Sequence, residues 1–450
     1  MRPSTDPPGG VREAVESSTL LPATGAAGTS PQTAALKLLP IEGLRTLLTI
    51  SIIVFHMVVF VDNAGAWQGE TWALASDGSH KKDVERTMHQ FFADSGDTGV
   101  TCFFVISGFV AQLPNRPMPE SLRARIDFLT TRFLRLAPAY YACLVLVLIS
   151  SFFAMLVTPG PYCSHTKTGL WSTLMELVML QAWFPFRGQT QPSFPPGCGM
   201  GRVGFAEYGI NAADWFVSAL FGCQILQVCL APVFVPLLST APRALLTTLG
   251  LATLRTLAWF RMLYVDGSSN YKEYPFDFYW HWPPICMLGY ATGVAAGRLV
   301  NLCPADGPMR SWTGWKFADT PVMLGWLALF RVQAGVPWPA GTAGKLVAVY
   351  FAAFFCVMTS CAHHGLTLRV LSHQALTSLA PLCYAAYLSQ WFWLNLLSAL
   401  QWDTASATAV LFMLLATFVG SAAIHHGVEK PAGGWTKRLL AKMAAPSSAC

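Results

Sequence analysis

Two ionisable side chains, Arg45 and His56, stand within one strongly apolar stretch of the chain. A helix would place them on nearly the same face, about 16 Å apart along its axis. Ionisable residues inside membrane helices are costly and by default indicate a functional site. A buried imidazole can act as a general base, and a guanidinium can hold phosphate. The competing structural interpretations are a topology anchor for Arg45 and a hydrogen bond from His56 to a neighbouring carbonyl.

Polar groups also mark the next two apolar runs. Ser107 lies between Gly99 and Gly108, which would let another backbone approach closely, so Ser107 is either a packing or a site residue. Arg132 and Arg135 are three residues apart and share one helix face. Such a pair suits a diphosphate or an anionic lipid head, and it equally fits a positive-inside topology signal.

The elements that must position these residues are membrane helices. The 450 residues are 53% hydrophobic and 12% charged, with a mean hydropathy of +0.44, whereas about a quarter of a soluble domain is charged. The sequence therefore predicts an all-α, multi-pass transmembrane bundle, with no basic stripe for nucleic acid and no Cys/His cluster with metal spacing. The apolar runs are 44–61, 98–113, 136–157, 172–186, 213–238, 244–265, 283–300, 320–335, 343–361, 376–400 and 405–425.

Charge placement predicts the topology, because cytosolic loops carry an excess of Lys and Arg. The arginine-rich loop after the second run is expected in the cytosol, and the acidic loop 62–97 on the far side, so both termini are cytosolic. An even number of crossings then leaves one run that does not cross. We choose 172–186, the shortest run, which contains Glu176; about ten spans remain, in a membrane that the sequence does not identify. The predicted domains are a disordered cytosolic tail at 1–36, a transmembrane domain at 37–430 and a basic cytosolic tail at 431–450.

Short motifs occur along these runs in a specific order. They are Arg45 with His56, Phe103-Phe104-Val105-Ile106-Ser107-Gly108, Arg132-Phe133-Leu134-Arg135-Leu136-Ala137-Pro138-Ala139-Tyr140-Tyr141, Leu288-Gly289 with Gly293 and Gly297, Tyr384-Ala385-Ala386-Tyr387-Leu388, and Val428-Glu429-Lys430-Pro431. In this combination the chain resembles the acyltransferase 3 family of integral membrane O-acyltransferases over about residues 40–435. The resemblance implies a ten-span bundle that takes an acyl group from acyl-CoA on the cytosolic side and passes it to a hydroxyl.

The resemblance also implies roles for individual residues. His56 would be the catalytic residue, Arg45 its partner toward the donor, and Ser107 a supporting residue. Arg132 and Arg135 would bind the acyl-CoA phosphates. The expected partners are acyl-CoA (first of all acetyl-CoA, as donor substrate), a glycan or lipid hydroxyl as acceptor, and membrane lipids; no bound cofactor, metal or nucleic acid is expected.

Two positions depart from the family's pattern. The family has Trp-x-Leu-x-x-acid in mid-chain, whereas here the stretch from Trp215 to Leu220 lacks the acid, although Asp214 precedes it. Gln390 stands where members often have His, and an amide cannot act as a base. We assign Trp215, Asp214 and Gln390 to the acceptor side. Two alternatives to an active enzyme stay open, a transporter or flippase and a catalytically lapsed member that binds a lipid.

Overall fold

The computed structural model describes residues 31–66, 96, 98–112, 121–157, 174–183, 211, 213–261, 282–303, 342–361, 365–400, 402 and 407–444. Every regular element within these ranges is helical. The predicted run 320–335 lies outside them. The helices are α1 (Pro31–Ala66), α2 (Thr98–Gln112), α3 (Leu122–Val157), α4 (Asp214–Cys229), α5 (Ala231–Leu237), α6 (Ala241–Phe260), α7 (Pro283–Leu302), α8 (Thr342–Cys361), α9 (Leu366–Leu371), α10 (Gln374–Thr377), α11 (Cys383–Ala399), α12 (Ala407–Ile424) and α13 (Lys430–Ala444).

Helix α1 begins earlier than the predicted domain boundary. Proline suits the first turn of a helix, where its missing N–H has no intrahelical partner, and α1 starts at Pro31. The helix therefore includes the last six residues of the segment 1–36 that was predicted to be a disordered tail. At the other end of the chain, a π-helical turn (His425–Glu429) joins α12 to α13.

Four helical stretches in the described ranges are long and apolar enough to cross a bilayer: Leu38–Met57, Leu122–Ser150, Pro283–Leu302 and Thr408–Thr436. Helices α4 and α5 make a fifth candidate, a pair bent by 71°. Proline in the first turn of α5 lacks the N–H that would continue α4, which explains the bend. The predicted all-α membrane bundle is confirmed; the count of about ten crossings and their sidedness stay predictions.

Glycines set the spacing between α2 and α7. A Cβ on Gly108 would run into a backbone carbonyl of α7, and a Cβ on Gly293 would run into the carbonyl of Val105. Further along both helices, Nδ2 of Asn301 donates to the carbonyl of Gln112 at 3.0 Å. The two helices therefore run in the same direction, and the close backbone approach predicted at Gly108 is confirmed.

Helix α11 packs against α1, α3 and α12, and so lies at the centre of the elements that carry the candidate residues. The Thr46 hydroxyl on α1 lies 3.5 Å from the thiol of Cys383, the first residue of α11. Further along α1, His56 contacts Gln390 of α11. Residue numbers rise on both helices from the first contact to the second, so α1 and α11 run in the same direction.

The run chosen as non-crossing contains no continuous helix in its described part, 174–183. A single helical turn at 174–177 is followed by a 3-10 turn at Gln181–Trp183. Between them Met179 adopts a left-handed backbone with φ 56°, which interrupts the helix. Glu176, Met179 and Ala182 are buried in the bundle.

Hydroxyl groups of neighbouring helices satisfy the backbone of this segment. Irregular backbone in a membrane protein is tolerated where protein groups bond its carbonyls, because lipid offers none. Three successive donors serve this purpose here. The hydroxyls of Tyr140, Tyr141 and Ser218 donate to the carbonyls of Glu176, Leu177 and Met179 at 2.6, 2.8 and 2.8 Å, respectively.

Candidate active site

His56 is half-buried on α1, and its ring contacts side chains of α11. Its Nδ1 lies 3.0 Å from Oε1 of Gln390, which is fully buried. The indole of Trp391 lies beside the imidazole, with 5.5 Å between the ring centroids. The predicted catalytic residue and one predicted acceptor-side residue are thus brought together, at positions 334 residues apart in the sequence.

Arg45 lies three turns before His56 on the same helix. Its guanidinium forms an ion pair with Glu42 at 3.0 Å, in which the two side chains are 25% and 32% exposed. It also interacts electrostatically with Cys383 at the start of α11. Both Arg45 and His56 therefore approach α11, as their spacing predicted. Glu42 was not predicted, although an acid three residues before an arginine is the ordinary signal for such a pair.

The two arginines of α3 join the same charged region. Arg135 is exposed and lies within electrostatic range of Arg132 and Arg45. Arg132 is half-buried, and its guanidinium stands over the ring of Phe128 at 5.3 Å from the centroid. The acids Glu42 and Glu429 also act on Arg135. We call Arg45, Arg132 and Arg135 the arginine cluster, because Arg135 lies within electrostatic range of both of the others.

The π-helical turn supplies the second acid of this region. Nδ1 of His425 lies 2.6 Å from Oε2 of Glu429, and both side chains are largely shielded from solvent. The Glu429 carboxylate interacts electrostatically with Arg45 and Arg135. In the sequence, Glu429 stands out only as part of a closing motif. Its spatial position adds negative charge beside the arginine cluster.

A buried acid pair lies at the start of α4. Asp214 and Glu176 are both fully buried, and their carboxyl groups lie within electrostatic range of each other. The backbone N–H of Asn211 donates to Oε1 of Glu176 at 2.8 Å, and Nδ2 of Asn211 donates to the carbonyl of Leu388 on α11 at 3.1 Å.

The acid pair was only half predicted. Asp214 was assigned to the acceptor side, whereas Glu176 served only as an argument that its run does not cross the membrane. The signal for Glu176 was present, because an ionisable residue within an apolar run is by default a functional candidate. The pair lies close to tyrosines of α3 and α11, namely Tyr140, Tyr384 and Tyr387.

Two predicted residues have less specific surroundings. Ser107 is half-buried on α2 and makes no side-chain hydrogen bond within the part of the chain that the structure describes. Trp215 is buried at the start of α4, edge-on to Phe216 with 6.1 Å between ring centroids. Phe216 in turn contacts Tyr387 of α11 at 5.2 Å. Trp215 therefore adjoins an aromatic contact between α4 and α11.

Arg255 is a buried cation that was not among the predicted site residues. Arg255 on α6 is 3% exposed, and its guanidinium lies over the ring of Trp259 at 5.2 Å from the centroid. It also lies within electrostatic range of Cys223 and Cys286. Its signal was an arginine inside the apolar run 244–265. Among the described residues, no group of three or more His, Cys, Asp or Glu is arranged to hold a metal ion.

A comparison with known protein families shows which family the chain belongs to. Residues 39–426 match the acyltransferase 3 family model, which is described as an acyltransferase domain. The chain belongs to the acyltransferase 3 family. The match contains every predicted site residue, from Arg45 to Gln390. No curated protein and no solved structure matches the chain.

Membership of the acyltransferase 3 family, together with the apolar helices, makes this protein a membrane acyltransferase in general terms. The predicted family is thereby confirmed. The match does not distinguish one acyl donor or acceptor from another, and the roles of the individual site residues stay predictions.

Proposed function

We propose that this protein is an integral membrane O-acyltransferase that transfers an acetyl group from acetyl-CoA to a hydroxyl of a glycan or lipid. One observation carries the proposal: His56 is held at 3.0 Å from Gln390 within the bundle, on the helix that also bears Arg45. Family membership supports the reaction class. In this proposal both termini lie in the cytosol.

The proposed reaction needs one base and one leaving group. His56 takes the proton of the acceptor hydroxyl as its oxygen attacks the thioester carbonyl. The new C–O bond forms, the C–S bond breaks, and the thiolate of CoA leaves. The imidazolium returns the proton to that thiolate, so His56 ends the cycle neutral. His56 thus acts first as a base and then as an acid.

The arginine cluster suits the phosphate-rich end of the donor. Guanidinium groups bind phosphate through charge-assisted hydrogen bonds. Arg45 is eleven residues from His56, so about 16 Å of helix separates the cluster from the imidazole. An extended pantetheine arm would connect phosphates at the cluster with a thioester at His56. This arrangement favours entry of acetyl-CoA from the end of the bundle where Arg45 lies.

The test is a transfer assay with purified protein in detergent. Radiolabelled acetyl-CoA is incubated with a panel of glycan and lipid acceptors, and His56→Ala is compared with His373→Asn. His373 is an exposed helix cap whose Nδ1 accepts from the Ala375 amide, and Asn keeps such an acceptor. We expect His56→Ala to reduce transfer by about 100-fold or more, and His373→Asn to leave it unchanged.

Other outcomes of this assay are equally informative. Label transfer that persists unchanged in His56→Ala excludes His56 as the base. No transfer with any donor would favour a catalytically lapsed family member. Saturable substrate flux into liposomes, in the absence of acetyl transfer, would favour a transporter.

A further inference from the structure

We infer that Gln390 is a positioning residue that holds His56 in the tautomer protonated at Nδ1, so that Nε2 is the atom that takes the acceptor's proton. The inference rests on the proposed function, since it names the atom of the proposed base. It also assigns a role to Gln390, whose amide in place of the family's histidine had suggested a loss of activity.

The first step is the orientation of the Gln390 amide. One end of this side chain lies 2.6 Å from the backbone carbonyl of Tyr387, and the other end lies 3.0 Å from Nδ1 of His56. A carbonyl oxygen only accepts hydrogen bonds, so the amide end that faces Tyr387 must be the NH₂ group. The amide oxygen therefore faces His56.

The second step is the position of the imidazole proton. A neutral imidazole has one N–H, and the other ring nitrogen carries the basic lone pair. Because Nδ1 of His56 faces an oxygen that only accepts, the proton resides on Nδ1. The lone pair is then on Nε2. His56 thus donates to the amide oxygen of Gln390, and the Gln390 NH₂ group donates in turn to the carbonyl of Tyr387.

The third step is the rigidity of this arrangement. Gln390 is fully buried, so neither end of its amide can exchange its partner for solvent. A flipped amide would bring its oxygen against the oxygen of Tyr387, with no proton between them. The ring of Trp391 also lies against His56 and limits rotation of the imidazole. A group that cannot be a base can thus orient one.

The inference is tested directly by nitrogen NMR on the full-length protein in nanodiscs, with the histidine rings labelled with ¹⁵N. Signals of His56 are those missing from His56→Ala. We expect neutral His56 protonated at Nδ1 in the wild type, and a shift toward the Nε2-protonated form in Gln390→Met. The matched control is Asn395→Leu, which removes another buried amide of α11, bonded to Ser150 at 3.3 Å. The control should leave the His56 signals unchanged.

A kinetic experiment separates positioning from mere stability. Gln390→Met should lower kcat for acetyl transfer by about 10- to 100-fold, the size expected for the loss of one buried hydrogen bond, with the KM for acetyl-CoA unchanged. Gln390→Glu keeps an oxygen toward Nδ1 but adds a charge that stabilises the imidazolium. The acid limb of the kcat–pH profile should therefore move to higher pH by about one unit or more.

The results that would overturn the inference differ from those that would overturn the proposed function. A wild-type His56 protonated at Nε2, or an acid limb that does not move in Gln390→Glu, refutes the role of Gln390. An Nδ1-protonated His56 together with full activity of His56→Ala refutes the proposed base and leaves the orienting contact established.

Discussion

Replacing Tyr140 by phenylalanine should destabilise the protein more than the same replacement of its neighbour Tyr141. The Tyr140 hydroxyl is buried, donates to the carbonyl of Glu176 at 2.6 Å and accepts from Nε2 of Gln181 at 3.3 Å. Tyr141 makes one bond of the same kind, to the carbonyl of Leu177 at 2.8 Å, from an exposed position. The two adjacent tyrosines therefore form a matched pair that differs in burial and in the number of bonds.

The expected difference follows from the groups that each substitution leaves without a partner. An unsatisfied buried donor or acceptor costs about 1–3 kcal/mol. Tyr140→Phe leaves two such groups, and the bond from Gln181 is long, so we expect a loss of about 2–4 kcal/mol. Tyr141→Phe leaves a single carbonyl without a partner, so we expect a smaller loss, about 1–2 kcal/mol.

Two measurements check this ranking. The thermal unfolding midpoint of the purified protein in detergent should fall further for Tyr140→Phe than for Tyr141→Phe. Hydrogen–deuterium exchange should rise in 174–183 in Tyr140→Phe, because the lost bonds anchor that segment. An equal or larger fall of the midpoint in Tyr141→Phe would contradict this ranking, because Tyr141 makes one such bond and Tyr140 makes two.

Two further substitutions address donor binding and packing. Arg135→Gln should raise the KM for acetyl-CoA about 10-fold, because a charge-assisted hydrogen bond contributes about 1.5–3 kcal/mol. Arg123→Gln, on the same helix, should leave the KM unchanged. Equal KM values for the two variants would exclude Arg135 from the donor site. Gly293→Ala should lower the unfolding midpoint by several degrees, because its Cβ would meet the carbonyl of Val105, whereas Gly250→Ala has open space and should be neutral or stabilising. A stable Gly293→Ala protein would contradict the close approach of α2 and α7.

The helical part of the candidate site could be predicted from the sequence because its geometry is local. A helix repeats every 3.6 residues, so the spacing of Arg45 and His56 fixes their common face before any neighbour is known. The structure brings both residues to α11. The same local rule would have found Glu42, three residues before Arg45, had it been applied to every charge on α1.

The acid pair shows where such local rules end. Asp214 begins a helix, but Glu176 lies in an irregular segment that no hydrophobic period describes. The position of that segment depends on hydroxyl donors from α3 and α4, which sequence patterns do not connect with it. The proximity of Glu176 to Asp214 therefore depends on tertiary structure. The sequence alone could indicate Glu176 only as an acid within an apolar run.

Gln390 is the position whose interpretation changes most between sequence and structure. In the family's pattern this position is often histidine, so the amide of Gln390 removes a titratable group. In space the same amide oxygen lies 3.0 Å from Nδ1 of His56, where an acceptor with no charge is useful. The pattern of each helix predicts which face is buried, but not which residue of another helix that face meets. A position-by-position comparison with the family's pattern therefore shows a missing histidine at Gln390 and a missing acid at Leu220. The structure instead places an amide oxygen beside His56 at the first position, and a carboxyl pair, Glu176 with Asp214, at the start of the helix that carries the second.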